Sequence, residues 1–326
     1  MPAFVSAQSA EKRKVTIAVG GKNLLYYLPL TIAESLGYFE AEGLDVTIAD
    51  FAGGSRALQA VIGGSADVVS GAFEHTINMQ LKGQRLRAFV LQGRAPQIVL
   101  GINPKTMPNF KSVADLKGKK IGVTAPGSST NVLANFVLGK AGVKPADVSF
   151  IGVGAGSGAV AAMQTGQIDA ISNLDPVITL LLRSGDLKIV SDTRVVAVAD
   201  KVFGGPMPGG CLYAPQTFLD KNPEAAQGLA NAIVRADAWI QKAGAGDIIK
   251  AVPESYLLGD RAVYVDAFRA AKGALSTDGM FPVAGPDTAR RALASIDPTI
   301  AEAQVDLEAV YTNEFVKRAH AKYPVT

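Results

Sequence analysis

The chain has 326 residues, 48% of them hydrophobic and 19% charged, with a net charge of +3. It is long enough for two domains, and its slight basicity, without any Lys/Arg cluster interleaved with aromatics, argues against a nucleic-acid partner. One cysteine, Cys211, excludes internal disulfides and thiolate zinc clusters, and two histidines, His75 and His320, leave little for a metal site or a general base.

No apolar run reaches the length of a transmembrane helix. The opening stretch PAFVSAQSAEKRK carries small residues spaced as in a signal-peptide cleavage region, at Val5-Ser6-Ala7 and Ala7-Gln8-Ser9-Ala10. It reads as the remnant of an export signal. With no lipid-accepting cysteine nearby, the expectation is a free, monomeric periplasmic protein.

Residues 14–19 form a strand closed by Gly20-Gly21. Residues 24–36 have helical spacing, tolerate Pro29 early in the helix, and carry Tyr26 and Tyr27 near its start. A Gly-rich turn leads into a strand over 45–51. The next stretch, 54–70, reads as Gly-Ser turn, helix, Gly turn, strand.

That unit returns 102 residues later: Gly54, Ser55, Ala57, Ala60, Gly64, Asp67 and Ser70 align with Gly156, Ser157, Ala159, Ala162, Gly166, Asp169 and Ser172. Identity at one fixed offset marks duplicated βαβ halves, and two copies exclude a solenoid. The aspartates follow a Gly turn and precede an apolar run, the pattern of strand-entry residues that bond local backbone. Each unit sets a Gly-Ser turn and a helix N-terminus at the carboxyl end of a strand, where open α/β sheets bind ligands with a bias toward anions.

After the loop 71–75, a helix to Leu81 and a strand over 86–91 complete the first half, ending at Gln92-Gly93-Arg94. A further strand is expected over 97–102, a surface crossing over 104–110 and a short capped helix over 112–116. The second half starts at 119–123 and parallels 15–19; Ser128-Ser129-Thr130 cap its first helix. A strand over 148–153 leads to the second repeat unit, followed by Asn173-Leu174-Asp175-Pro176, a helix to Leu182 and a strand over 187–190. The stretch FGGPMPGGCLYAP, 203–215, reads as a return crossing into the first domain. Helices dominate afterwards, over 223–243, 261–271 and 307–321, and are expected to pack on the first half.

GYFEAEGLDVTI, the G-x-A-D-V strand entry, DLKGKKIGVTAPGS and G-x-I-D-A-x-x-x-x-x-P together resemble the substrate-binding proteins of ABC importers for nitrate, sulfonates, taurine and thiamine precursors, the NMT1-like family. The resemblance covers about residues 15–190 and is specific for the framework, not for a ligand. It implies an α/β fold of the type II periplasmic-binding class, with domain I formed by 14–102 plus 204–326, domain II by 103–203, and a hinge of two crossings. Carried over position by position, one wall of the cleft comprises Asn23, Tyr26, Tyr27, Gly54, Ser55, Phe73, Glu74 and His75. The other comprises Ser128, Ser129, Thr130, Asn173 and Asp175, with Arg94 near the first crossing as a charged anchor.

The expected partners are a small-molecule ligand and an ABC permease, with no cofactor, no metal and no catalytic residue. An organic acid or sulfonate is favoured, although the bulky, ionisable Phe73-Glu74-His75 leaves a pyrimidine or an amine open. The alternative on the same fold is a thiamine-precursor enzyme, whose cysteine-rich segment is absent here. A porphyrin-forming deaminase would need an Arg-rich cleft, and a sensing domain would need a transmembrane continuation.

Overall fold

The computed structural model describes residues 12–324. The expected export remnant lies mostly in residues 1–11, outside the described residues. The first half runs β1 (Arg13–Gly20), a 3-10 turn (Leu25–Tyr27), α1 (Leu28–Ser35), α2 (Tyr38–Ala41), β2 (Leu44–Phe51), α3 (Gly54–Ile62), β3 (Val68–Ala72), α4 (Glu74–Gln80) and β4 (Leu86–Leu91). The second runs β5 (Val99–Ile102), β6 (Lys120–Val123), α5 (Ser129–Lys140), β7 (Ser149–Gly152), α6 (Ser157–Gln164), β8 (Ala170–Asn173), α7 (Val177–Arg183), β9 (Lys188–Asp192) and α8 (Val196–Phe203). Then β10 (Gly210–Pro215) returns the chain to the first sheet.

Two five-stranded sheets result, β2-β1-β3-β10-β4 and β7-β6-β8-β5-β9. They share one plan. In one, β2, β1 and β3 lie parallel and the antiparallel β10 separates β3 from β4; in the other, β7, β6 and β8 lie parallel and the antiparallel β5 separates β8 from β9. Each inserted strand follows a crossing from the other half. The further strand expected over 97–102 fell within domain I as drawn to residue 102, but β5 pairs with β8 and β9, so the crossing lies before it.

The duplicated aspartates do the same work twice. Asp67 Oδ2 accepts the N–H of Thr16 on β1, and Asp169 Oδ2 accepts that of Lys120 on β6, at 2.8 and 3.0 Å. Each fastens the third strand's entry to the first strand. Gly20 has a packing reason, since a Cβ there would stand 2.2 Å from the Gly54 nitrogen. That approach lets α3 begin directly against the end of β1.

After β10 come α9 (Gln216–Lys221), α10 (Pro223–Lys242), α11 (Ala245–Ala251), α12 (Arg261–Ala271), α13 (Gly285–Ala294), α14 (Pro298–Glu302) and α15 (Glu314–Lys322). α10 lies on α1 and α15, as expected of a tail on the first half. The tail also reaches the second half. α12 packs on α7, where Arg183 pairs with Asp266 at 3.5 Å, and α13 packs on α5 and α8. The helix expected over 307–321 begins only at Glu314, because Tyr311 bridges to Ala88 and Thr312 donates to the Ala88 carbonyl.

Replacing Asp67 by Ala unties a half-buried backbone N–H and should lower stability by about 1–2 kcal/mol. Asp169→Ala should cost less, because the Lys120 amide is exposed. Thermal melts of the two variants test the order, and equal losses would contradict it.

Candidate functional site

The halves meet along a seam whose lips are the turns opening α3 and α5. Ser55 donates its backbone N–H to Ser128 Oγ at 3.0 Å and its hydroxyl to the Pro126 carbonyl at 2.9 Å. The Ser128 hydroxyl donates to Ser55 Oγ at 3.2 Å. Thus the helix start facing Ser55 is not its repeat partner Ser157. Alongside, Asn23 Nδ2 donates to the Ala155 carbonyl at 2.9 Å, and the Leu25 N–H donates to the Asp175 carbonyl at 3.0 Å. Such closeness needs glycine: a Cβ on Gly53 would stand 2.9 Å from that of Ala125, and one on Gly21 2.6 Å from that of Ala155.

Ser55, His75, Pro126 and Gly127 line an open cavity of about 740 Å3, and separately the structure brings together Tyr26, Glu74 and Ser129 around one of about 20 Å3, closed by Leu133, Phe136 and Met207. The smaller volume holds roughly one water, so nothing larger fits in this arrangement. Tyr26 and Tyr27 are buried and meet edge to face with ring centroids 4.9 Å apart. His75 is buried next to Gly54, its Nδ1 2.9 Å from the Tyr213 hydroxyl. Burial pushes the imidazole down to about 4 against an upward pull from the Gly127 backbone, so the ring is neutral near pH 7.

Other expected residues serve the frame. Phe73 is wholly buried against Phe281 and Tyr311, in the core and not in the cleft. Thr130 is tied to Thr124, Oγ1 to Oγ1 at 2.9 Å. Asn173 donates to the Gly154 carbonyl at 3.0 Å and accepts from the Leu174 N–H. Asp175 accepts from the Thr179 N–H and hydroxyl, and its second oxygen faces Arg194 at 3.2 Å. Arg94 requires the plainest correction. It is exposed, donates from Nη2 to the Gly273 carbonyl at 2.7 Å, and is held by the C-terminal tail instead of entering the cleft.

Sequence reasoning missed three neighbours. Arg194 is buried between Asp175 and Asp192, with no local pattern to mark it. Gln92 and Gln97 in the first crossing are buried, and the Gln92 Nε2 and both Gln97 amide atoms have no hydrogen-bond partner among the described residues. Gln97 also holds φ at 57°, uncommon for a residue with a side chain. Tyr213 and Cys211, on β10, complete the wall around Glu74. Burial pushes both up, so neither is ionised near pH 7.

Glu74 differs from every other charge at the seam. It is 4% exposed, and among the described residues no cation pairs with it. Burial pushes its carboxyl up to about 7, with only its own backbone N–H pulling the other way. With a neutral histidine and an un-ionised thiol beside it, the site has the makings of recognition and lacks an activated nucleophile. Among the described residues no group of three or more His, Cys, Asp or Glu side chains could hold a metal.

The NMT1/THI5-like family model matches residues 25–243. A Bordetella bronchiseptica protein of known structure is 63% identical, covers 96% of this chain and 99% of its own, and superposes with a TM-score of 0.94. A Bacillus subtilis candidate binding protein, YtlA, is 24% identical over 71% of this chain and 68% of its own. The alkanesulfonate-binding protein SsuA of Xanthomonas axonopodis is 20% identical, covers 94% of this chain and all of its own, and has a TM-score of 0.71. At that identity the likeness establishes the two-domain α/β periplasmic-binding-protein fold. The first curated relatives are matched over 60 to 68% of their own length.

Two substitutions probe the two kinds of buried charge. Arg194→Ala strands Asp175 and should cost about 3–5 kcal/mol, with Asp175→Asn recovering part of the loss in the double variant. Glu74 titrates at 4.5 when exposed and about 7 in the fold. Between those values the folded state holds a proton that the unfolded state has lost, so stability falls as pH rises. His75 acts in the opposite sense, adding stability as pH climbs from about 4 to 6.5. Glu74→Gln should therefore exceed wild-type stability by on the order of 3 kcal/mol at about pH 8, the gain vanishing below about pH 4.5. Melts across that range read the difference, and a pH-independent gap would refute it.

Proposed function

The chain belongs to the NMT1/THI5-like family, and we propose that it is an extracytoplasmic solute-binding protein that takes a small molecule between its halves and delivers it to the permease of an ABC importer. The observation carrying this reading is the seam itself. Two helix starts on separate sheets bond to each other directly, and near them Tyr26 and Glu74 of one half and Ser129, Leu133 and Phe136 of the other line a small cavity whose carboxylate has no cation partner among the described residues. One unit comprises β1–β4, β10 and the C-terminal helices, and the other comprises β5–β9 with α8. The crossings between them, around 93–98 and 204–209, supply the hinge.

Closure serves transport only if the solute binds the closed arrangement more tightly than the open one. A molecule touching both Tyr26 and Glu74 on one side and Ser129 on the other meets that requirement, because opening separates the two sets. The thiamine-precursor enzyme has less support. The Cys211 thiol is buried and pushed up, and His75 is buried and neutral, so neither is an activated group.

Thermal-shift screening over small acids, sulfonates, amines and pyrimidines tests this reading, with Gly53→Trp as a wedge in the seam. A true solute should stabilise the wild type by RT ln(1 + [L]/Kd), about 2.7 kcal/mol at a hundredfold excess over Kd, and leave the wedged variant unmoved. A shift undiminished by the wedge would put the binding site elsewhere.

A further inference from the structure

Along the seam the described residues hold several ionisable groups, and apart from the neutral His75, whose Nε2 has no partner among them, all but one are matched. Asp175 and Asp192 share Arg194. Lys22 pairs with Glu34 at 2.9 Å, and Asp50 accepts the Gly21 and Lys22 N–H groups. Arg94, the cation that an anionic solute would need, bonds the tail. Ser55 N–H, a backbone donor that an anion would use, is taken by Ser128. Glu74 remains.

From this the geometry points to a solute that carries a protonated nitrogen, ion-paired to Glu74, with its apolar body against Tyr26, Leu133, Phe136 and Met207. The assignment rests on the reading that solute binds between the halves, and it names the class of solute. A lone carboxylate in an apolar enclosure is costly when ionised, and a cation delivered beside it removes that cost while an anion multiplies it. The groups surrounding Glu74 do not compete for the role. Tyr26 and Tyr27 from the turn before α1, Cys211 and Tyr213 from β10, and His75 on its own helix are all held neutral by burial near pH 7. The nitrogen therefore faces a single negative charge, and its binding drives a proton off Glu74 into solution when the pH is below about 7.

Matched probes of one shape and different charge test the assignment on the full chain: benzamidinium, benzamide and benzoate, with acetamidinium, acetamide and acetate as a smaller set. At least one amidinium should raise the unfolding temperature of the wild type, with the matching amide and carboxylate ineffective. Its Kd should weaken at least about thirtyfold in Glu74→Gln. Calorimetry at about pH 6 in buffers of different ionisation enthalpy should show proton release on binding, a signature that surface adsorption lacks. Glu74→Gln is expected to fold at least as stably as wild type, so lost binding is not lost structure. Silence of both amidinium probes, or binding unchanged in Glu74→Gln, overturns the assignment. Binding of benzoate or acetate that disappears in Gly53→Trp overturns it too, while leaving the seam as the site. Amidinium binding lost in Glu74→Gln and undiminished in Gly53→Trp would reverse that result, keeping Glu74 as the anchor but removing the seam.

Discussion

The halves of this protein can meet because a side chain is missing at two points. Hydrogen bonds between Ser55 and Ser128 need backbones closer than any Cβ on residue 53 would permit, and the Asn23–Ala155 contact makes the same demand on residue 21. The Gly-Ser turn thus has two uses. It starts α3 hard against the end of β1, where Gly20 clears the way, and it offers the lip that the other half closes on. One local solution to packing a helix on a sheet has become the geometry of a cleft.

Two buried acids show how differently one interior can treat a charge. Asp175 takes two bonds from Thr179 and faces Arg194, an arrangement that makes its burial tolerable and fixes the loop that contributes a carbonyl to the seam. Glu74 takes nothing comparable. A group so placed weakens the fold, and proteins keep such groups where activity needs them. The contrast separates an acid braced by its neighbours from one left without a counter-charge.

The framework was legible because it is written in short-range pattern. The fixed-offset repeat, the β-branched strands and the paired aspartates each follow from a few adjacent residues, and the Gly/Pro-dense return stretch ends in β10 as read. What failed depends on partners far along the chain. Residues 99–102 make a strand in either sheet, and nothing local says which one recruits them. Arg94 was taken for a cleft residue, yet its direction is set by carbonyls at 273 and 274. Phe73 is apolar and its sequence cannot distinguish a stacking platform from core; the rings of Phe281 and Tyr311 decide. Helical spacing over 307–313 lost to a pairing with β4. Arg194 left no trace, because Asp192 two residues before it is an ordinary local pair and Asp175 is brought to it only by the fold.

The strand order also governs how the molecule can come into being. All five strands of the second sheet lie between residues 99 and 192, so that sheet can close once the chain has reached α8. The first sheet cannot, since β3 and β4 stand apart until β10, at 210–215, fills the gap between them. A growing chain can therefore close its later sheet before its earlier one, and until β10 arrives it carries two bare strand edges able to recruit foreign strands. A chain cut short before β10 would retain those edges permanently.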